Sequence, residues 1–102
     1  MKFNTITILH AINPTFSDKD VELHRVAVGS YKTEKAGEDA AEEAYHITNA
    51  PGEILRMSEK ALLKEGGLSG KRSLSVGDAV MVQDFAGRAK VFMCASSGWK
   101  EI

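Results

Sequence analysis

The chain has little of several residue types, and each shortage excludes a class of protein. Its 102 residues include a single cysteine, Cys94, so no disulfide can form within the chain and no cysteine cluster can hold zinc. A lone thiol suits a reducing compartment. There is no secretory leader and no apolar run of about 18 residues, so we expect a cytoplasmic protein without a membrane partner.

An excess of charge of one sign is also missing. Thirteen basic and fourteen acidic side chains give a net charge of −1, so no general attraction to nucleic acid is expected, although a local basic patch stays open. Aromatic residues make up 7% of the chain, which leaves a mostly aliphatic core. The length and an apolar fraction of 43% are typical of one soluble domain over residues 1–102.

The first part of the chain is predicted to form two strands. Residues 2–12 are rich in β-branched side chains and end before a proline, which cannot donate to a strand ladder. Residues 21–31 alternate in the same way, but their apolar positions change parity, which predicts a β-bulge near His24-Arg25. We expect Gly29 to mark the end of this strand or a close backbone approach.

Two helices are predicted next. Residues 38–49 carry apolar side chains at the spacing of one helix face and stop before Pro51, which predicts the main helix. The predicted apolar stripe consists of Ala40, Ala41, Ala44, Tyr45 and Thr48. Residues 58–65 form a shorter helix that Ser58 can cap and that two glycines end.

The last third is predicted to form a β-meander. Three short runs, 79–83, 89–95 and 99–102, are separated by turns that contain glycine. Strands followed by helices and then by a hairpin are typical of the α+β class. We therefore expect a small curved antiparallel sheet, or a partial barrel, packed by one main helix and a short second helix.

Three segments together resemble a known family. They are a helix end with the spacing Tyr45-x-x-x-Asn49, the run G-K-R-S-L-S-V-G-D-A-V at 70–80 and the run G-W-K-E-I at 98–102. Over residues 42–102 the chain resembles the YodL-like domain family, small bacterial proteins often carried with plasmid, phage or conjugative-element genes. It departs from the family pattern at Ala79, and at Trp99, where phenylalanine is common. The resemblance implies an accessory protein of a mobile genetic element and transfers no activity or catalytic residue.

The side chains that most often carry chemistry are scattered in this sequence. His10, His24 and His46 lack the spacing of metal ligands. Cys94 lies in a predicted strand, where a small buried thiol is expected; the alternative is a nucleophile paired with a histidine. No P-loop, dinucleotide fingerprint or nucleophile elbow is present. We therefore expect no enzyme, no cofactor and no metal site.

The candidate binding residues are charged and aromatic side chains of the last third. They are Lys71, Arg72, Asp78, Phe85, Arg88, Lys90 and Trp99. We expect the four basic side chains to gather at one end of the meander beside Phe85, because the first pair precedes the hairpin and the second follows its turn. An exposed ring next to cations is a surface that can bind another molecule. The alternatives are that the charges solvate a sheet edge, that Asp78 belongs to a turn scaffold and that Trp99 packs in the core.

The leading functional expectation is a non-catalytic interaction module that binds an unidentified protein. The alternative is a weak nucleic-acid-binding domain that uses the cationic and aromatic end of the sheet. Whether the chain is a monomer or a homodimer stays open at this point.

Overall fold

The structure is a computed structural model that describes residues 2–12 and 24–102. The predicted start of the second strand, 21–23, lies outside the described residues. The elements are β1 (Asn4–Ala11), β2 (Arg25–Thr33), α1 (Gly37–Asn49), a 3-10 turn (Gly52–Ile54), α2 (Met57–Glu65), β3 (Ala79–Gln83), β4 (Ala89–Cys94) and β5 (Trp99–Glu101). This order of strands, helices and meander confirms the α+β class.

The strands form one open sheet in which every neighbouring pair is antiparallel. Their order is β2-β1-β3-β4-β5, so β1 lies between the strand that follows it and the hairpin near the end of the chain. The predicted meander is confirmed as β3, β4 and β5. The sheet is open, with β2 and β5 at its two edges, and the predicted small antiparallel sheet packed by one main helix and a short second helix is confirmed.

The core lies between one face of the sheet and α1. The strand register places Ile6 of β1 opposite Tyr31 of β2 and Val82 of β3, and Ile8 opposite Val80. All five side chains are buried and belong to one hydrophobic cluster. Because cross-strand neighbours point to the same face, this register creates the apolar surface on which the helix packs.

The helix α1 faces this surface with small side chains. Its buried residues are Ala40, Ala41, Ala44 and Ile47. The predicted stripe is therefore right for the three alanines, but Tyr45 is exposed and Thr48 only partly buried. At about 100° per residue Ile47 lies on the same side of the helix as Ala40 and Ala44, whereas Tyr45 lies at the margin of this face.

The bulge in β2 lies later than predicted. Between Ile8 and Leu9 the partner changes from Gly29 to Ala27, so Val28 is the extra residue. Gly29 is a close-approach position rather than a strand end, because a Cβ there would lie 2.2 Å from the carbonyl oxygen of Gly66. The apolar pattern required a parity change but did not locate it, and this close packing fixes the backbone next to the bulge.

The two helices are joined at their ends. α1 ends at Asn49, as predicted, and α2 begins at Met57 with Arg56 rather than Ser58 as its cap. The Glu59 carboxylate accepts the backbone N–H of Arg56 at 2.8 Å and lies 3.0 Å from Nε2 of His46 on α1. A carboxylate in the first turn can satisfy an otherwise unpaired helix N–H, which makes the serine unnecessary as a cap.

Candidate binding surfaces

The seven predicted binding residues lie in three places. Lys71, Arg72 and Asp78 precede β3, Phe85, Arg88 and Lys90 lie at or just after the β3–β4 turn, and Trp99 is on β5. The five residues of β3 separate the first group from the second by about 17 Å, at about 3.4 Å per residue. The prediction that all four basic side chains gather at one end is therefore wrong, because the loop enters β3 at one end and the hairpin turn leaves it at the other.

Asp78 is the centre of a buried hydrogen-bond network. Its side chain is fully buried, and its carboxylate accepts Nη1 and Nη2 of Arg72 at 2.5 and 2.7 Å. It also accepts the backbone N–H groups of Ala11 at 2.8 Å and Ser75 at 2.9 Å. We call these four residues the Asp78 clasp. The clasp fastens the loop before β3 to the end of β1.

The electrostatics of the clasp fit a structural role. Burial alone would raise the pKa of Asp78, but the hydrogen bonds from Arg72, Ala11 and Ser75 outweigh it and lower the pKa. The same network raises the pKa of Arg72, chiefly through its hydrogen bond to Asp78. A buried carboxylate with this set of donors is a scaffold group, so Asp78 offers no surface to a partner.

The three segments that carry the family resemblance meet in space. The backbone N–H of Leu74 donates to Oγ1 of Thr48, and its carbonyl accepts Nδ2 of Asn49, both at 3.3 Å. One turn earlier on α1, Tyr45 packs against Trp99. The end of α1 thus contacts both the loop before β3 and the strand β5. Sequence spacing alone could not show this, because the segments are far apart along the chain.

The turn between β3 and β4 is tightly ordered. Asp84 accepts the backbone N–H groups of Ala86 and Arg88 at 2.9 Å, and its carboxylate pairs with Nε of Arg88 at 3.0 Å. These bonds hold Phe85 at the tip, where its side chain is 63% exposed. Nζ of Lys2 lies 4.3 Å from the centre of the Phe85 ring. An exposed aromatic ring therefore lies at the tip of this turn with the cation of Lys2 beside it.

A cavity of about 390 Å³ lies beside this turn. Its lining residues include the apolar Val82 and Ala89, the basic Arg88 and Lys90, and the acidic Asp84 that pairs with Arg88. Both basic side chains are exposed. We call the cavity, its two cations, Phe85 and Lys2 the hairpin end. It contains three of the seven predicted residues, Phe85, Arg88 and Lys90, whereas no sequence pattern predicted the cavity itself.

Trp99 lies at a different surface. Its ring packs edge-to-face on Tyr45, with centres 6.3 Å apart and planes at 87°, and its Nε1 donates to Oε1 of Glu42 at 2.6 Å. Two recesses, of about 250 and 340 Å³, flank this pair and share Glu42 and Tyr45 in their walls. We call this the Tyr45–Trp99 groove. Helical spacing alone places Glu42 and Tyr45 on neighbouring positions, but only the sheet brings Trp99 to them.

The side chains that most often carry catalysis differ in their exposure. Cys94 is buried, and burial, followed by the charges of Asp78 and Glu42, raises its pKa, so the thiol stays protonated at neutral pH. His10 is buried, whereas His24 and His46 are exposed. Residues 2–12 and 24–102 contain no group of three His, Cys, Asp or Glu side chains placed to hold a metal ion.

No family model, curated protein or solved structure matches this chain. Among the described residues no helix is long and apolar enough to cross a membrane. The shape and charge of the hairpin end and of the Tyr45–Trp99 groove are therefore the grounds for a functional proposal.

Proposed function

We propose that this chain is a non-catalytic binding module that docks a partner protein at its hairpin end. We further propose that it is a cytoplasmic bacterial protein of the YodL-like family that serves a mobile genetic element. The family and its setting are supported by the residues at 70–80 and 98–102. The docking site is supported by one observation, the apolar cavity with two exposed cations at its wall.

The chemistry of the hairpin end indicates its partner. Val82 and Ala89 provide an apolar wall for a side chain of the partner, and Lys90 provides positive charge beside it. The acidic group of Asp84 is already paired with Arg88, so it does not cancel the charge of Lys90. The surface therefore complements an acidic protein segment that carries a large apolar residue.

A random peptide library displayed on phage tests this proposal. We expect the wild-type protein to enrich peptides in which acidic residues flank a large apolar residue. The double variant Arg88→Gln/Lys90→Gln should bind an enriched peptide about tenfold more weakly, equivalent to about 1.4 kcal/mol. Fluorescence anisotropy of the labelled peptide measures the difference.

The matched control is Lys60→Gln/Lys64→Gln. These two lysines are exposed on α2 and line no part of the cavity, but their replacement removes the same net charge. It should leave the affinity nearly unchanged. The proposal is wrong if no acidic, apolar motif is enriched, or if the two double variants weaken binding equally.

Single-stranded nucleic acid is a second candidate partner for the same surface. The observation that favours it is the exposed ring of Phe85 beside Lys2, since bases stack on such rings while cations hold the phosphates. A labelled oligo-dT strand should then bind more tightly as salt is lowered. Phe85→Ala should weaken this binding about tenfold. Absence of binding at low salt would remove the candidate and leave the protein-docking proposal intact.

A further inference from the structure

The Tyr45–Trp99 groove differs from the hairpin end in the sign of its charge. Glu42 lines both recesses of the groove, and the described residues contribute no lysine or arginine to either wall. Oε1 of Glu42 holds the indole N–H of Trp99, while Oε2 has no hydrogen-bond partner among the described residues. The groove thus presents one carboxylate oxygen next to two aromatic rings.

A comparison with Phe85 shows what this groove lacks. At the hairpin end the chain itself places a cation, Lys2, 4.3 Å from the centre of an exposed ring. At the groove, Tyr45 and Trp99 are partly open to solvent, but no cation of the described chain lines the recesses beside them. Aromatic faces attract cations, and tryptophan does so most strongly.

We infer that the Tyr45–Trp99 groove binds an arginine side chain from a basic segment of a second partner protein. The planar guanidinium stacks on an aromatic ring and donates to Oε2 of Glu42 at the same time. Of the four acidic residues of α1, Glu42 is the one that lines these two recesses, and it also lines a neighbouring recess whose wall includes Lys35 and Arg56. The ammonium group of lysine can pair with the Glu42 carboxylate, but it is not planar and cannot stack flat on an aromatic ring. Arginine is therefore the better occupant.

The indole of Trp99 provides the test, because it is the only tryptophan of the chain. We expect titration with hexa-arginine peptide to change its fluorescence saturably. Hexalysine should bind at least threefold more weakly at the same salt concentration. A hexaglutamate peptide should produce no change.

Glu42→Gln separates the site from general charge attraction. Glutamine keeps an oxygen that can accept the Trp99 N–H, so the ring stays in place while the charge is lost. We expect hexa-arginine to bind about tenfold more weakly, which corresponds to about 1.4 kcal/mol. The control Glu53→Gln removes the same charge from the exposed 3-10 turn, outside both recesses, and should have little effect.

Thermal unfolding of both variants verifies that each remains folded. The inference is overturned if hexa-arginine leaves Trp99 fluorescence unchanged, if hexalysine binds as tightly as hexa-arginine, or if the two glutamate variants weaken binding equally. None of these results depends on the hairpin end, so a failure here is distinguishable from a failure of the docking proposal.

Discussion

Asp78→Ala should be strongly destabilising, because it removes the centre of a buried network. Four donor groups lose their acceptor: two nitrogens of Arg72 and the backbone N–H groups of Ala11 and Ser75. The Arg72 side chain is 40% exposed, so its guanidinium can turn toward water after the substitution. The N–H of Ala11 cannot follow, since Ala11 is buried and paired in the sheet, while the N–H of Ser75 is partly buried.

The expected loss follows from these groups. A buried N–H without a partner costs about 1–3 kcal/mol, which applies to Ala11, whereas the partly buried N–H of Ser75 loses less. Removing one member of a fully buried ion pair costs about 3–5 kcal/mol, and the partial exposure of Arg72 favours the lower end. We therefore expect about 3 kcal/mol, out of a total stability on the order of 5–15 kcal/mol for a domain.

Urea unfolding followed by Trp99 fluorescence measures this loss. Asp78→Asn keeps the size of the side chain and one acceptor oxygen, so it should lose less than Asp78→Ala. Asp39→Ala removes an exposed carboxylate from the first turn of α1 and should leave the unfolding midpoint nearly unchanged. A loss of stability below about 1 kcal/mol for Asp78→Ala would refute the reasoning, because a buried donor that is left without an acceptor costs at least about that much.

Acid provides an independent measurement of the same network. The folded pKa of Asp78 is lower than its ordinary value of 3.8, so on acidification the unfolded chain takes up this proton first. The stabilisation from Asp78 is therefore complete above about pH 4 and is lost as pH falls toward the folded pKa. Asp78→Asn lacks this proton, and its stability should fall less than that of the wild type over the same acidic range.

Three further predictions concern other parts of the molecule. Burial, aided by nearby positive charge, lowers the pKa of His10 below 6.5, so the stability of the wild type should fall as the pH drops through this value. In urea unfolding, His10→Gln should show a smaller fall over the same pH range. An equal fall in the two proteins would contradict this prediction. Gly29→Ala should lower the free energy of unfolding by about 1–3 kcal/mol in the same assay, because its Cβ would meet the carbonyl oxygen of Gly66. Gly52→Ala is the control, since a Cβ at that position meets nothing, and it should be neutral. Equal effects of the two substitutions would exclude the clash. Cys94 is buried and the pKa of its thiol is raised, so iodoacetamide should alkylate it far more slowly in the native protein than in urea. Equal rates would show that the thiol is exposed in the native protein.

Local sequence signals located the elements well. α1 ends shortly before Pro51 and α2 ends just before Gly66, and the alanine spacing on α1 reports its buried face. These effects act within about one turn of the backbone. The predicted helix over 38–49 and the strand over 79–83 agree with α1 and β3 within one residue. The bulge in β2 was misplaced, because its position depends on the close approach of Gly66, which is distant in sequence.

The candidate sites likewise combine features that local sequence predicts with features that only the fold determines. Exposure of Phe85 at a turn was foreseeable, since a glycine-containing hairpin places its middle residues in solvent. The separation of Arg72 from Arg88 was not, because it follows from the direction of β3 between them. Likewise, nothing local joins Trp99 to Glu42, which lie 57 residues apart and meet only because β5 is the sheet edge beside α1.

By itself the amino-acid sequence located the two helices and the closing meander to within one residue, since these bounds depend on periodicity and chain-breaking residues that act over a few positions. It did not locate the end of β2, which was predicted at residue 31 and lies at Thr33. Only the tertiary structure decided that Asp78 is a buried clasp and not a contact surface. Its donors include the N–H of Ala11, 67 residues away, and a hydrogen bond of that range is set by strand order and register, which no local pattern encodes.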